Sequence, residues 1–318
     1  MAGQAFSLRN ANASVIELIS GEEALNELKQ VDDYFNNFSR FDLESRLQSS
    51  TATLDNYIAS FAQRIVNWNE KQKQCIGNYI DYINTKCIDQ LQLLVLPARI
   101  LVVLTDGKDA SDDAHCRNNN IIVLPQHIVI MTDSKRETFI HELFHIWSRQ
   151  KTNMKIRDEL YASIGYHRIP IDHQSELPSD LSEMKITNPD APLVMKYFIN
   201  LKKKNHQKNK IYKCTPILHA SRPFKSKDST SMFDYLVATT IVLDEETYEP
   251  KQPLEYLPYD QAANFYAQIG NNTGYIMHPE EILADNFVLW MIATKNPNRL
   301  RTPTVVQNMN DIIARSVK

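Results

Sequence analysis

The sequence predicts an α+β protein with a helical N-terminal region over residues 1–90 and a larger domain over residues 91–318. Three observations carry this. Before residue 91 apolar residues recur three and four apart, after it two stretches are rich in β-branched residues, and two later segments carry helix-start signals. A chain of 318 residues, 43% hydrophobic and 23% charged, can bury a sizeable core without staples. The net charge of −3 is too balanced for a dedicated nucleic-acid binder, so no nucleic-acid partner is expected. Only 7 glycines are present, and neither GxGxxG nor GxxxxGK[ST] occurs, which argues against phosphate-binding loops.

Taken in order, residues 1–90 contain no proline and place Val15, Leu18 and Ile19, then Leu25 and Leu28, then Leu54, Tyr57, Ile58, Phe61 and Ile65 at helical spacing. A helical layer packed on the main domain is the simplest expectation. RILVVLT at 99–105 and NIIVLPQHIVI at 120–130 read as strands, with Pro125 marking an edge strand or a break. The polar segment between them is a loop. A helix then begins near Ser134, where Ser134 and Glu137 match a capping box, and Ile140, Leu143, Phe144 and Trp147 form its apolar face. Strands are expected near 210–218 and 231–243. A last strong helix starts at Pro279, a good first helical residue, and runs to about residue 293.

Neither an export signal nor a membrane span is predicted. The N-terminus lacks the basic start and apolar core of a secretory signal, and the most apolar stretch, 91–104, is broken by Gln92, Pro97 and Arg99. A transmembrane helix needs about 20 apolar residues. Cys75, Cys87, Cys116 and Cys214 form no CxxC pair and read as free thiols in a reducing compartment. The expectation is cytoplasmic action, or delivery by a non-classical route.

The chemistry lies in His141, Glu142 and His145, an HExxH motif on the helix after residue 134. Two imidazoles four residues apart stand one turn apart on one face and can chelate Zn²⁺. Glu142 is offset around the helix and can take a proton from the zinc-activated water without ligating the ion. HExxHxxGxxH is ruled out, because Ser148 and Lys151 stand where that pattern needs Gly and His. A third ligand is available from the late helix, where Glu281 and Asp285 form ExxxD, so that one can bind metal while the other holds a ligating His. Glu159 and, less directly, Glu280 compete for that role. The run of lysines at 202–204, 208 and 210 lacks interleaved aromatics and reads as a solvated loop, while NPDAP at 188–192 is a rigid turn that can shape a cleft wall.

HELFHIWSRQ, RDELYASIGY, NPDAP and HPEEILADNF together resemble gluzincin-type zincin metallopeptidases, and more narrowly a group of bacterial zincin-like proteins. The resemblance spans roughly residues 99–293. It implies a zincin-like domain, a mixed sheet with an HExxH helix and a glutamate helix, and an edge strand along the cleft where an extended peptide can pair. Carried over, His141, His145 and Glu281 are the metal ligands, Glu142 the general base and Asp285 the partner of a ligating His. Tyr275 and His278 are the nearest groups for stabilising an oxyanion. The 135 residues from 146 to 280 separate the two metal-binding helices, a long insert for this class.

The function expected is zinc-dependent hydrolysis of a peptide or protein substrate, one version being a bacterial effector protease. The competing expectation is a binding or regulatory module in which zinc is structural, and a third is hydrolysis of a non-peptide amide. Glu142 argues against the module, since binding alone does not need that carboxylate. The oligomeric state is not legible in the sequence.

Overall fold

The computed structural model describes residues 4–204, 210–226, 231–292 and 300–316. Two sheets organise them. The first is five-stranded and mixed, in the order β1-β2-β3-β5-β4. Its strands are β1 (Ala5–Ser7), β2 (Val15–Ile19), β3 (Arg99–Thr105), β4 (His115–Arg117) and β5 (Ile121–Pro125). β2, β3 and β5 run parallel, whereas β1 and β4 pair antiparallel at the two edges. The parallel strands are covered on both faces, so β3 reads as a continuous apolar run. Ile100, Val102 and Leu104 face one core, and Leu101 and Val103 the other.

Six helices lie between β2 and β3: α1 (Gly21–Leu28), α2 (Asp33–Asn36), α3 (Arg40–Leu47), α4 (Leu54–Arg64), α5 (Glu70–Lys86) and α6 (Ile88–Leu91). The first four close one face of the sheet through Leu28, Tyr34, Phe35, Tyr57 and Phe61. α5 covers the other face with Ile76, Tyr79, Ile80 and Ile83. α7 (Asp133–Ser148) and α8 (Met154–Ser163) follow β5. The second sheet, all antiparallel, has β6 (Tyr166–Arg168), β7 (Tyr197–Lys202), β8 (Ile211–Ala220) and β9 (Leu236–Val242), with α9 (Ser179–Met184) between β6 and β7. The chain closes with α10 (Phe265–Ile269), α11 (Pro279–Ile292) and α12 (Pro303–Ser316).

Several expectations change here. Val15, Leu18 and Ile19 belong to a strand, not a helix. VIELI also alternates, sending Ile16 and Leu18 to one core and Ile19 to the other, and in parallel register with β3 its backbone groups find a ladder. The first sheet therefore takes two strands from before residue 90. The larger core likewise runs from Leu8 through Ile83 to Ile313, across that position. Pro125 ends β5, an interior strand rather than an edge, because proline offers no N–H to continue the ladder. Met232–Asp234 is a 3₁₀ turn, so the strand expected from 231 begins at Leu236. Part of the lysine run, including Lys208, and residue 293 lie outside the described residues. Among the described residues no helix is long and apolar enough to cross a membrane.

The helix that carries HExxH starts one residue before Ser134, and its N-cap is Thr132, whose side chain accepts the Lys135 N–H at 3.3 Å. Ser134 sits in the first turn, its hydroxyl 3.3 Å from that of Thr132, so the capping box expected with Glu137 does not form. Thr132→Ala should cost about 1 kcal/mol of stability, and Ser134→Ala only a few tenths, read as shifts in urea midpoint. Equal losses would contradict this assignment of the cap.

Candidate metal centre

α7 is held from behind. Ile140, Leu143, Phe144 and Trp147 are buried, and the Phe144 and Trp147 rings meet Phe287 of α11 at 5.4 and 6.5 Å between centroids. α11 is surrounded by protein: its apolar residues and even Glu280, Glu281 and Asn286 are buried, and of its residues only Asp285 is not. His278 caps its start. Its Nδ1 accepts the Glu280 N–H at 3.1 Å, and its carbonyl accepts the Ile282 N–H at 3.1 Å. The packing of these two helices sets their polar residues face to face.

Both imidazoles are clamped through Nδ1. His141 Nδ1 lies 2.9 Å from Asp285 Oδ1, and His145 Nδ1 lies 3.1 Å from Glu280 Oε1. Carboxylates accept there, so each Nδ1 carries hydrogen and each Nε2 is turned toward Glu281. His141 Nε2 stands 3.1 Å and His145 Nε2 3.6 Å from Glu281 Oε2. The three donor atoms lie within 4.8 Å of one another. His145 Nε2 is buried with no hydrogen-bond partner, a costly state for a polar atom unless something else engages it. Tetrahedral ligands at about 2.0–2.1 Å from Zn²⁺ stand roughly 3.3–3.4 Å apart, so the two distances to Glu281 suit that ion, as does a His₂Glu donor set. The residues fit the metal that the motif implies.

Other groups hold the carboxylates. Asn188 Nδ2 donates to Glu281 Oε1 at 2.6 Å, Thr273 Oγ1 donates to Asp285, and Ser148 and Tyr161 hydroxyls donate to Glu280. Glu280, considered from the sequence as a rival ligand, instead orients His145. Glu159, the other rival, is on the surface at 4.0 Å from Arg315.

Glu142 is buried beside the donors and lines the same cleft of about 400 Å³, with His141, Glu281 and Asp285. Cys116 Sγ of edge strand β4 lies 3.3 Å from Glu142 Oε2, placed to donate its weak S–H bond. Burial, with the nearby charge of Asp190, pushes the Glu142 carboxyl up to about 7. Cys116, Glu142 and Asp190 also bring donor atoms within 4.8 Å. These groups already have partners there: the Cys116 thiol, whose pKa burial and the Glu142 charge raise, lies against the Glu142 carboxyl. Asp190 Oδ1 meanwhile accepts from Cys116 N–H at 2.9 Å and Arg149 Nη2 at 3.1 Å.

Of the two groups considered for an oxyanion, only Tyr275 lines the cleft, with its ring 6.1 Å from that of His141. The anionic charge of Glu281, then burial and the charges of Asp113, Asp190 and Glu142, raise its pKa and keep the hydroxyl a donor. His278 is not among the cleft-lining residues; its Nδ1 caps α11, and burial lowers its pKa to about 4. Sequence reasoning also missed Asn188 and Asp190 as site residues. Their signal was the NPDAP turn, which the fold lays along β4 and against Glu281.

Burial pulls the His141 pKa down, but the hydrogen bonds to Asp285 and Glu281 outweigh it and carry it up to about 10. Burial opposes protonation of His145 too, and the charges of Asp190 and Glu281 again win. Protons therefore compete with metal for both Nε2 atoms, and zinc uptake should release protons and strengthen as pH rises from 6 to 9. Calorimetry in buffers of different ionisation heat checks this, and a pH-independent affinity would contradict it. No protein-family model, curated protein or solved structure matches the chain.

Proposed function

We propose that this chain is a zinc-dependent peptidase of the gluzincin type, with a zincin-like catalytic domain. The observation that carries the reading is the convergence of His141, His145 and Glu281 on one point with Glu142 beside them in an open cleft. The short antiparallel edge strand β4 alongside the HExxH helix agrees with it. When bound, Zn²⁺ supplies a Lewis acid that polarises the scissile carbonyl and lowers the pKa of water toward 7.

The chain's own residues do the rest. His141, His145 and Glu281 hold the ion, with Asp285 and Glu280 fixing the two imidazoles. Glu142 takes a proton from the attacking water and passes it to the leaving amine. Tyr275 donates its O–H to the carbonyl oxygen as negative charge grows there. The outer edge of β4 is already used at Cys116, whose N–H and C=O are bonded to Asp190 and Arg149. The Asp113 N–H is likewise given to the Ala110 carbonyl, so an extended peptide pairs between them, at Ala114, which lines the cleft.

Elemental analysis and a peptide-library digest of the zinc-loaded protein test the reading together. One zinc per chain and cleavage that requires Glu142 support it. Zinc without Glu142-dependent cleavage would instead favour a binding module. Tyr275→Phe should lower kcat about a hundredfold with KM and zinc content little changed, the lower end for loss of one oxyanion donor. An unchanged kcat would remove Tyr275 from the mechanism.

A further inference from the structure

Beside the cleft lies a second, smaller cavity of about 60 Å³. The two are adjacent, since Asp113, Ala114, Asp190 and Tyr275 line both. Its apolar wall is made by Ile186, Leu218, Met232, Phe233, Leu236 and Met277, all from the segment between the two metal-binding helices. Phe233 is 41% exposed and stands at the surface, while Leu218 and Met232 are buried. None of these six residues belongs to HExxH or ExxxD.

We propose that this cavity is a side-chain subsite that selects a neutral aliphatic residue of the substrate next to the scissile bond, a proposal that rests on the peptidase reading. Charge decides the class. A cationic tip entering the cavity would meet Arg46, a buried guanidinium that offers only donors. An anionic side chain would have to pass Asp113 and Asp190 at the junction with the cleft. A neutral apolar chain pays neither cost and gains contact with six apolar side chains. The small volume favours a branched aliphatic chain such as leucine over an indole.

The test uses metal-loaded Glu142→Gln protein labelled at methionine methyls, titrated with capped peptides that differ at one position: leucine, lysine, glutamate or glycine. The leucine peptide should shift the Met232 and Met277 signals and bind at least about tenfold tighter than the glycine peptide. Ala110→Leu, which fills the cavity, and Phe233→Ala, which removes its lip, should each bring that ratio toward one. Equal binding of all four peptides, unmoved methionine signals, or no binding at all would overturn the subsite. Wild-type turnover separates the two ideas. Cleavage with no side-chain preference removes the subsite and leaves the peptidase, whereas leucine-selective binding without turnover removes the peptidase, and the subsite with it, and leaves the cavity as a binding pocket for an aliphatic side chain.

Discussion

Glu142→Gln is expected to lower peptide turnover toward the upper end of the roughly 10²–10⁴-fold that a positioned general base contributes. Glutamine keeps the volume and an oxygen to accept from Cys116 Sγ, which lies 3.3 Å from Glu142 Oε2, so the buried helix face should not rearrange. What it loses is the ability to take a proton. Burial and the charge of Asp190 raise the affinity of the wild-type carboxyl for that proton. Zinc content should stay at one per chain, because Glu142 is not among the three converging donors. Measured kcat with elemental analysis on the same samples decides the matter. Retained turnover would sink the proposed mechanism, and lost zinc would mean that Glu142 ligates.

Glu281→Ala should abolish stoichiometric zinc, whereas Glu159→Ala should leave it intact. Glu281 Oε2 is the point on which both His Nε2 atoms converge, and Asn188 holds the other oxygen of that carboxylate. Losing an outer partner of a ligand typically costs 10–100-fold in affinity, so loss of the ligand itself should exceed about a hundredfold. Glu159 lies on the surface near Arg315 and serves as the control. The Glu281→Ala protein should still fold, because Glu281 sits on a helix packed through Phe287 and its neighbours. Circular dichroism separates a folded, metal-free protein from an unfolded one. Zinc retained at full affinity in Glu281→Ala would move the third ligand elsewhere.

Much of the centre was legible because helical spacing is a local property. His141 and His145 are one turn apart whatever the rest of the chain does, and so are Glu281 and Asp285. The strand at 99–105 was equally plain, being seven residues with β-branched character and no polar break before Thr105. Residues 15–19 were not. Five residues that satisfy both a helical and an alternating pattern are decided by what lies beside them, and β3 offers a parallel ladder. The cap of α7 was misplaced by two residues because Thr132 and Ser134 are equally capable oxygens, and the backbone geometry at Thr132 settles the choice.

Local sequence thus set the donor types, their spacing along two helices and the presence of a carboxylate fit to act as a base. Tertiary structure alone decided that the two helices face one another, so that Glu281 meets both imidazoles and Glu280 clamps His145. It also decided that Tyr275 reaches the cleft while His278 caps a helix. The insert's turn, through Asn188 and Asp190, becomes a wall of the site for the same reason. These contacts join residues far apart in the chain, and no local propensity encodes them. They follow from burying Phe144, Trp147 and Phe287 in one core, which brings the polar faces of the helices together.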